Sequence, residues 1–340
     1  MDELIRLEHG GGGELSRMLV EDVIHPYLRC EASTELPDAA RMDLAGPLAF
    51  TTDGYVVDPP FFPGSDIGRL SVFGTCNDLA VSGARARALS LALVLEEGLP
   101  IAVLRRVLAS VRDAAAEAGV DVVTGDTKVV GRGTVASGSS RDPGLYLTTA
   151  GIGEVVFPSL SPSRVLPGDR LIVSGPLGAH GVAVLAAREK LSLAAGITSD
   201  CAPLWPLAER LFGLGPVVRF LRDATRGGLA AVTNELCKGR RFGITVRERD
   251  VPADPDVAAV LDLLGLDPLE VANEGVLVAV VAAEAANEAV RLLRGHPTGI
   301  RAAVAGEVTA DDPGRVVLET RIGGRRLVDF PRGLLLPRIC

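Results

Sequence analysis

The chain has 340 residues, 47% hydrophobic and only 4% aromatic, with a net charge of −8. That length predicts two domains whose cores are filled by Val, Leu and Ala, as where helices cover a sheet. The negative charge and the lack of a basic stripe speak against nucleic-acid binding, and Glu96 and Glu97 interrupt the apolar run ALSLALVLEEGLPIAVL, which excludes a membrane span.

Five cysteines, at positions 30, 76, 201, 237 and 340, form no C-x-x-C pair. Their odd number and wide spacing argue against a disulfide framework and a structural zinc site, and point to reduced thiols in the cytoplasm. The opening MDELIRLEHGGGG has no apolar stretch of the kind a signal peptide needs.

Along the chain, the glycine run is followed by a short helical pattern, ELSRMLVEDVIHPYL, and LAFTTDGYVV reads as a strand ending at Asp53-Gly54. IGRLSVFGTCNDLAVSGA reads as a helix despite its glycines, and ALSLALVL as a buried strand. The clearest helix runs from Pro100 to Ala118, with Leu104, Val107, Leu108, Val111 and Ala115 on one face and Gly119 at its end. VDVVTGDTKVV and GLYLTTAGIGEV are two further strands. PSLSPSRVLPGDR, rich in Pro and Ser, marks a boundary, so the domains are expected at 1–160 and 161–330, with a tail at 331–340. The second half starts with strand RLIVSG, a glycine loop GPLGAHG and a helix, VAVLAAREKL. In FLRDATRGGLAAVTNELCKG a polar loop precedes another helix. FGITVRERDVP, EGVLVAVVA and RAAVAGEV read as strands, with AAEAANEAVRLLRG as a helix. The fold class is therefore α+β in both halves.

Chemistry concentrates in a few motifs. Gly10, Gly11, Gly12 and Gly13 allow backbone N–H groups to converge on an anion, or simply form a linker. Asp53 in TTDG, Asp78 in CNDLA with Asn77 beside it, and Asp126 in TGDTK are oxygen donors suited to Mg²⁺ on a nucleotide, or turn and cap residues. Lys128 shares a strand face with Asp126 and reads as a phosphate partner or a solvated lysine. Thr225, Arg226, Gly227 and Gly228 precede a helix, as a phosphate loop or as a capping box around Asp223 or Thr225. Glu274, before a very apolar strand, is a proton-transfer candidate or a turn residue, and His180 is a catalytic or packed loop histidine. No Walker loop, dinucleotide fingerprint or nucleophile elbow is present.

Taken together, HGGGGEL, TTDGYVVDPPFFPGSDIG, GTCNDLAVSGARA, TGDTKVV, GAHG, DATRGGLA, NEGVL and the terminal PRIC resemble the HypE family of nickel–iron hydrogenase maturation, over about Leu7 to Cys340. That family lies within the superfamily of ATP-dependent enzymes that includes aminoimidazole ribonucleotide synthetase (PurM) and selenophosphate synthetase. One departure from its pattern is Ala179 before the histidine of GAHG. The resemblance implies two PurM-like domains, a homodimer joined through the first-domain sheets, and ATP bound close to that interface. It further implies that a carbamoyltransferase, HypF, loads Cys340, that ATP drives dehydration of the S-carboxamide to a thiocyanate, and that cyanide passes to a HypC–HypD complex. In that scheme Mg²⁺ is held by Asp53, Asp78 and Asp126 with Asn77 assisting, and the glycine run and the loop Thr225–Gly228 bind ATP. Glu274 is the base and Lys128 stabilises the phosphorylated oxygen, with His180 a further candidate. Cys340 is then a carrier: the ten residues from Pro331 span roughly 33 Å when extended, enough to move between two sites. The competing expectations are another ATP-dependent synthetase or kinase of the superfamily, or a metal-delivery scaffold.

Overall fold

The computed structural model describes residues 3–30, 39–133, 143–191 and 196–331; Cys340 and the tail from 332 lie outside the described residues. The first half is organised by a four-stranded sheet in the order β1 (Leu48–Tyr55), β6 (Leu145–Val155), β4 (Ala84–Glu96) and β5 (Asp121–Val130). β4 and β5 run parallel and the other neighbours antiparallel. A two-strand hairpin, β2 (Phe61–Phe62) and β3 (Ser65–Asp66), connects β1 to helix α3 (Ile67–Val81).

α3 and α4 (Ile101–Ala118) cover one face of the sheet. α4 follows the expected period, with Leu104, Val107, Leu108 and Val111 buried, Pro100 just before it and Gly119 closing it. α3 is different: 13 of its 15 residues are buried, so it has no polar face, and its start is fixed by the Asp66 carboxylate accepting the Gly68 and Arg69 amides. Its far end, Ala80 and Val81, leaves the first core and joins a core of the second half. α3 is thus shared by both domains.

Among the described residues, no helix covers the other face of the first sheet. Along β1 the residues alternate, and Leu48 and Phe50 point outward, Phe50 being 72% exposed. N-terminal to the sheet, α1 (Glu14–Leu19), a π-helical turn (Val20–Ile24) and α2 (His25–Leu28) make one helical run, as the sequence predicts.

The second half holds a seven-stranded sheet in the order β13 (Arg325–Leu327), β12 (Val316–Glu319), β9 (Gly243–Arg247), β11 (Ala303–Thr309), β7 (Arg170–Val173), β10 (Leu277–Val281), β8 (Val218–Asp223). Every residue of β10 is buried, because both faces are covered. Val278 and Val280 face the core built with α7 (Gly228–Cys237), whereas Leu277, Ala279 and Val281 face α6 (Trp205–Phe212) and α9 (Ala286–Arg294). α5 (Ala179–Arg188) and α8 (Pro255–Leu264) pack on each other around Val182, Val257 and Leu261.

Two expectations change here. FLRD belongs to strand β8, with the expected polar turn at 224–227 between it and α7 narrowed accordingly, and His180 lies in the first turn of α5, not in a glycine loop. Among the described residues, no helix is long and apolar enough to cross a membrane.

Candidate active site

Where the two halves meet, a cleft of about 570 Å³ is lined by Asp53 of β1, Asp78 of α3, Asp223 at the end of β8, Thr225 and Arg226 after it, and Glu274 before β10. Two inward-facing residues of β1 steady the acids. Thr51 donates its hydroxyl to Asp78 Oδ2 at 2.8 Å, and the Tyr55 hydroxyl reaches Asp53 Oδ2 at 3.4 Å while contacting Thr75 at 3.2 Å.

The electrostatics are those of crowded acids. Burial first, and then the neighbouring Asp78, raise the Asp53 carboxyl above its usual range, with Arg226 pulling the other way. Asp223 is pushed up to about 7 by burial and then by Asp78. Glu274 is pushed up by burial, then by Asp223, Asp200 and Asp53. Arg222, which also lines the cleft, is tied to Glu235 at 3.0 Å. Arg222 still draws on the Asp223 carboxyl, while Arg226 is the guanidinium that acts on Asp53 and Glu274.

The turn before α7 explains why Asp223 and Thr225 are available. Gly227 and Gly228 have φ of +76° and +56°, which L side chains rarely adopt, and Gly227 is the N-cap of α7, which has no side-chain cap. A capping box is therefore not what these residues form.

The sequence-derived candidates divide between two places. Asp53, Asp78, Thr225, Arg226 and Glu274 share the cleft just described. Gly10, Gly12, Asp126 and Lys128 line a second cleft of about 380 Å³ at the β5 edge, together with His9 and Ser16. Gly11 closes the turn there, its amide bonding Glu8 O at 3.1 Å, and Gly13 directly precedes α1. Lys128 pairs with Asp126 at 2.9 Å and holds that carboxyl below the usual range.

Strand register gives the reason for the division. Asp53, Thr149, Leu91 and Gly125 form one cross-strand row, and Gly54, Thr148, Ala92 and Asp126 form the next. Adjacent rows point to opposite faces. Asp126 and Lys128 therefore project from the face opposite α3 and α4, which no helix covers among the described residues, and β1 and β5 are opposite edges of the sheet.

Asn77 does not line the acidic cleft. Its amide donates to Ala202 O at 3.1 Å and Glu274 O at 3.4 Å, and its oxygen accepts the Leu204 amide at 2.7 Å. His180 is fully buried, bonded through Nδ1 to Ser199 at 2.9 Å and set edge-on to Phe62, and burial lowers its pKa to about 3. It stays neutral and is a packed histidine. Asp223 was missed as a site residue, although it ends a strand as Asp53 nearly does. Among the described residues of one chain, no three His, Cys, Asp or Glu side chains close on a point that would hold a metal ion unaided.

Two family models match the chain: AIR synthase related protein, N-terminal domain, over residues 37–155, and its C-terminal domain over 167–319. A carbamoyl dehydratase HypE of Rhodobacter capsulatus is 45% identical over 344 residues, covering 100% of this chain and 99% of that protein. The crystal structure of a hydrogenase maturation protein HypE in complex with ATP superposes with a TM-score of 0.92 at 43% identity, covering 98% of this chain and 99% of that one. A HypE–HypF complex gives a TM-score of 0.79 at 40% identity, covering 92% and 99%. With both PurM-like domains present and this likeness running through them end to end, the chain belongs to the HypE family of carbamoyl dehydratases.

Proposed function

We propose that this protein removes water from an S-carboxamide carried on Cys340, at the expense of ATP, to give the thiocyanate that supplies cyanide to the iron of nickel–iron hydrogenase. The observation that carries this reading is the acidic cleft, where Glu274 is buried with a raised pKa beside Asp53, Asp78 and Arg226. HypE relatives named as carbamoyl dehydratases, an ATP-bound HypE and a HypE–HypF complex support the reaction, the nucleotide and HypF as a partner; HypF as the carbamoyl donor is part of the proposal. A HypC–HypD complex as cyanide acceptor and a cytoplasmic location belong to the same proposal.

The chemistry balances as follows. The amide oxygen attacks the γ-phosphorus, ADP leaves, and one N–H proton is lost. Phosphate then departs with the amide oxygen as the second N–H proton leaves, and the C≡N bond forms. Glu274 suits the proton transfers, because a carboxyl with raised pKa is basic enough to take a proton and is sheltered from water. Arg226, Thr225 and the backbone at Gly227 and Gly228 suit the phosphates.

The donor set fits Mg²⁺. Carboxylates that raise one another's pKa want positive charge, and Mg²⁺ takes one or two carboxylates together with nucleotide phosphates, not a complete protein cage. Asp53 and Asp78 would hold it, and once bound it neutralises charge on the phosphates.

Asp126 and Lys128 enter through a second copy. A two-fold axis parallel to the strands, with the uncovered sheet faces together, sets β1 of one copy beside β5 of the other. The second copy's Asp126, Lys128 and glycine run (Gly10, Gly11, Gly12 and Gly13) then approach the cleft, and exposed Phe50 and Leu48 become buried.

Three results are expected. Asp53→Asn lowers carbamoylation-dependent phosphate release by about two orders of magnitude, as when charge neutralisation worth several kcal/mol is lost; an unchanged rate contradicts the assignment. Phe50→Glu shifts the protein to monomer in light scattering and removes the same activity, and a fully active monomer contradicts the shared site. Finally, the Asp223 and Asp200 carboxyls rise from 3.8 to about 7 and about 6 on folding. Across that window the folded state binds more protons than the unfolded one, so stability without nucleotide falls as pH rises from about 4 to 7 and then levels. Asp223→Asn flattens this fall in denaturant titrations; an equally steep fall refutes the crowding.

A further inference from the structure

Glu274 lies on the short segment that leads into β10, and that segment is gripped from two sides. Asp200, in the extended stretch before α6, accepts the Glu274 amide on Oδ1 at 3.1 Å and the Gly275 amide on Oδ2 at 3.3 Å. Both carboxylate oxygens are thus spent on two consecutive backbone donors. The two stretches also lie unusually close, because a Cβ at Gly275 would sit 1.9 Å from the Asp200 carbonyl oxygen. Only glycine permits that approach. From the other domain, Asn77 of α3 bonds Glu274 O, Ala202 O and the Leu204 amide, and so ties both stretches to the helix turn that presents Asp78 to the cleft.

We propose that Asp200, acting with Asn77, is a positioning residue that holds the Glu274 carboxyl in the cleft for proton transfer. This rests on Glu274 as the proton acceptor. Without the Asp200 carboxylate, two buried backbone donors lose their acceptor and the segment shifts to find water. Asn77 sets the spacing across the domain junction, so the base of the second domain stays in register with the acids of the first. Neither residue touches substrate. Each acts through the backbone of Glu274, and a displacement of about 1 Å at such a group is enough to cost about a hundredfold in rate.

The test uses the full-length protein loaded by carbamoyltransferase with carbamoyl phosphate, then given Mg-ATP. Asp200→Ala is expected to lower kcat for dehydration about a hundredfold while KM for ATP stays within about twofold. Backbone amide exchange at 274–275 rises in the same variant. Asp200→Asn, which keeps one acceptor oxygen, recovers part of the rate and serves if the alanine variant does not fold. In the Glu274→Gln background, Asp200→Ala changes the residual rate less than about twofold, because residues acting as one unit are not additive. An equal loss in both backgrounds, or a loss wholly in KM, overturns the proposal. A dead Glu274→Gln beside a fully active Asp200→Ala overturns the proposal alone, whereas a fully active Glu274→Gln overturns the base assignment beneath it.

Discussion

Carboxylates gathered against Arg226 at the junction of two domains set the terms for the rest of this structure. Asp53, Asp78, Asp223 and Glu274 repel one another, and water that would screen them is partly excluded. Such a grouping opposes folding at neutral pH, so the scaffold around it must be rigid. α3 provides much of that rigidity. It is buried along nearly its whole length, carries Asp78, and contributes to the cores of both domains. The acids are brought together by packing that has no other use for them.

The sheet of the first domain is where the fold and the chemistry constrain each other. A strand residue can point to one face only, so successive cross-strand rows send Asp53 and Asp126 in opposite directions. Among the described residues, nothing within one chain brings the second cleft to the first. In the proposed dimer, the face with Phe50 outward is the surface through which a second copy would reunite them. Dimerisation and catalysis would be one requirement in that dimer, because the glycine run, Asp126 and Lys128 at the β5 edge of one chain would serve the acids at the β1 edge of another.

Much of this was legible in the sequence, where local pattern and tertiary role agree. α4 has one apolar stripe because it covers one face of a sheet, and its caps stand at the expected positions. β10 reads as a continuous apolar run because both its faces are buried. The acidic motifs stand out by residue type, but Asp126 lies in the middle of β5 and Asp78 in the last turn of α3, not at a strand end or helix start. What escaped depends on three dimensions. α8 has Asp254 as its N-cap, Pro255 in its first turn and Gly265 after it, but its pattern lies between polar loops and was not read. His180 follows glycines yet opens a helix, because Gly178 serves as its N-cap in a left-handed conformation. Asn77 stands beside Asp78 in sequence and invites the same role. On a helix, neighbours point about 100° apart, and that angle sends one side chain to the cleft and the other to the opposite domain. Register across strands, which separates Asp126 from Asp53, is likewise invisible until the pairing is known.

The account stands on one chemical event, the loss of water from a carbamoyl group on Cys340 driven by ATP. Intact mass of the C-terminal peptide measures it directly, after incubation with carbamoyltransferase and carbamoyl phosphate, before and after Mg-ATP. The account predicts a gain of one carbamoyl group and then, only with ATP, the loss of one water to leave the thiocyanate. A peptide that never gains the carbamoyl group, or that keeps it unchanged while ATP is consumed, would contradict it.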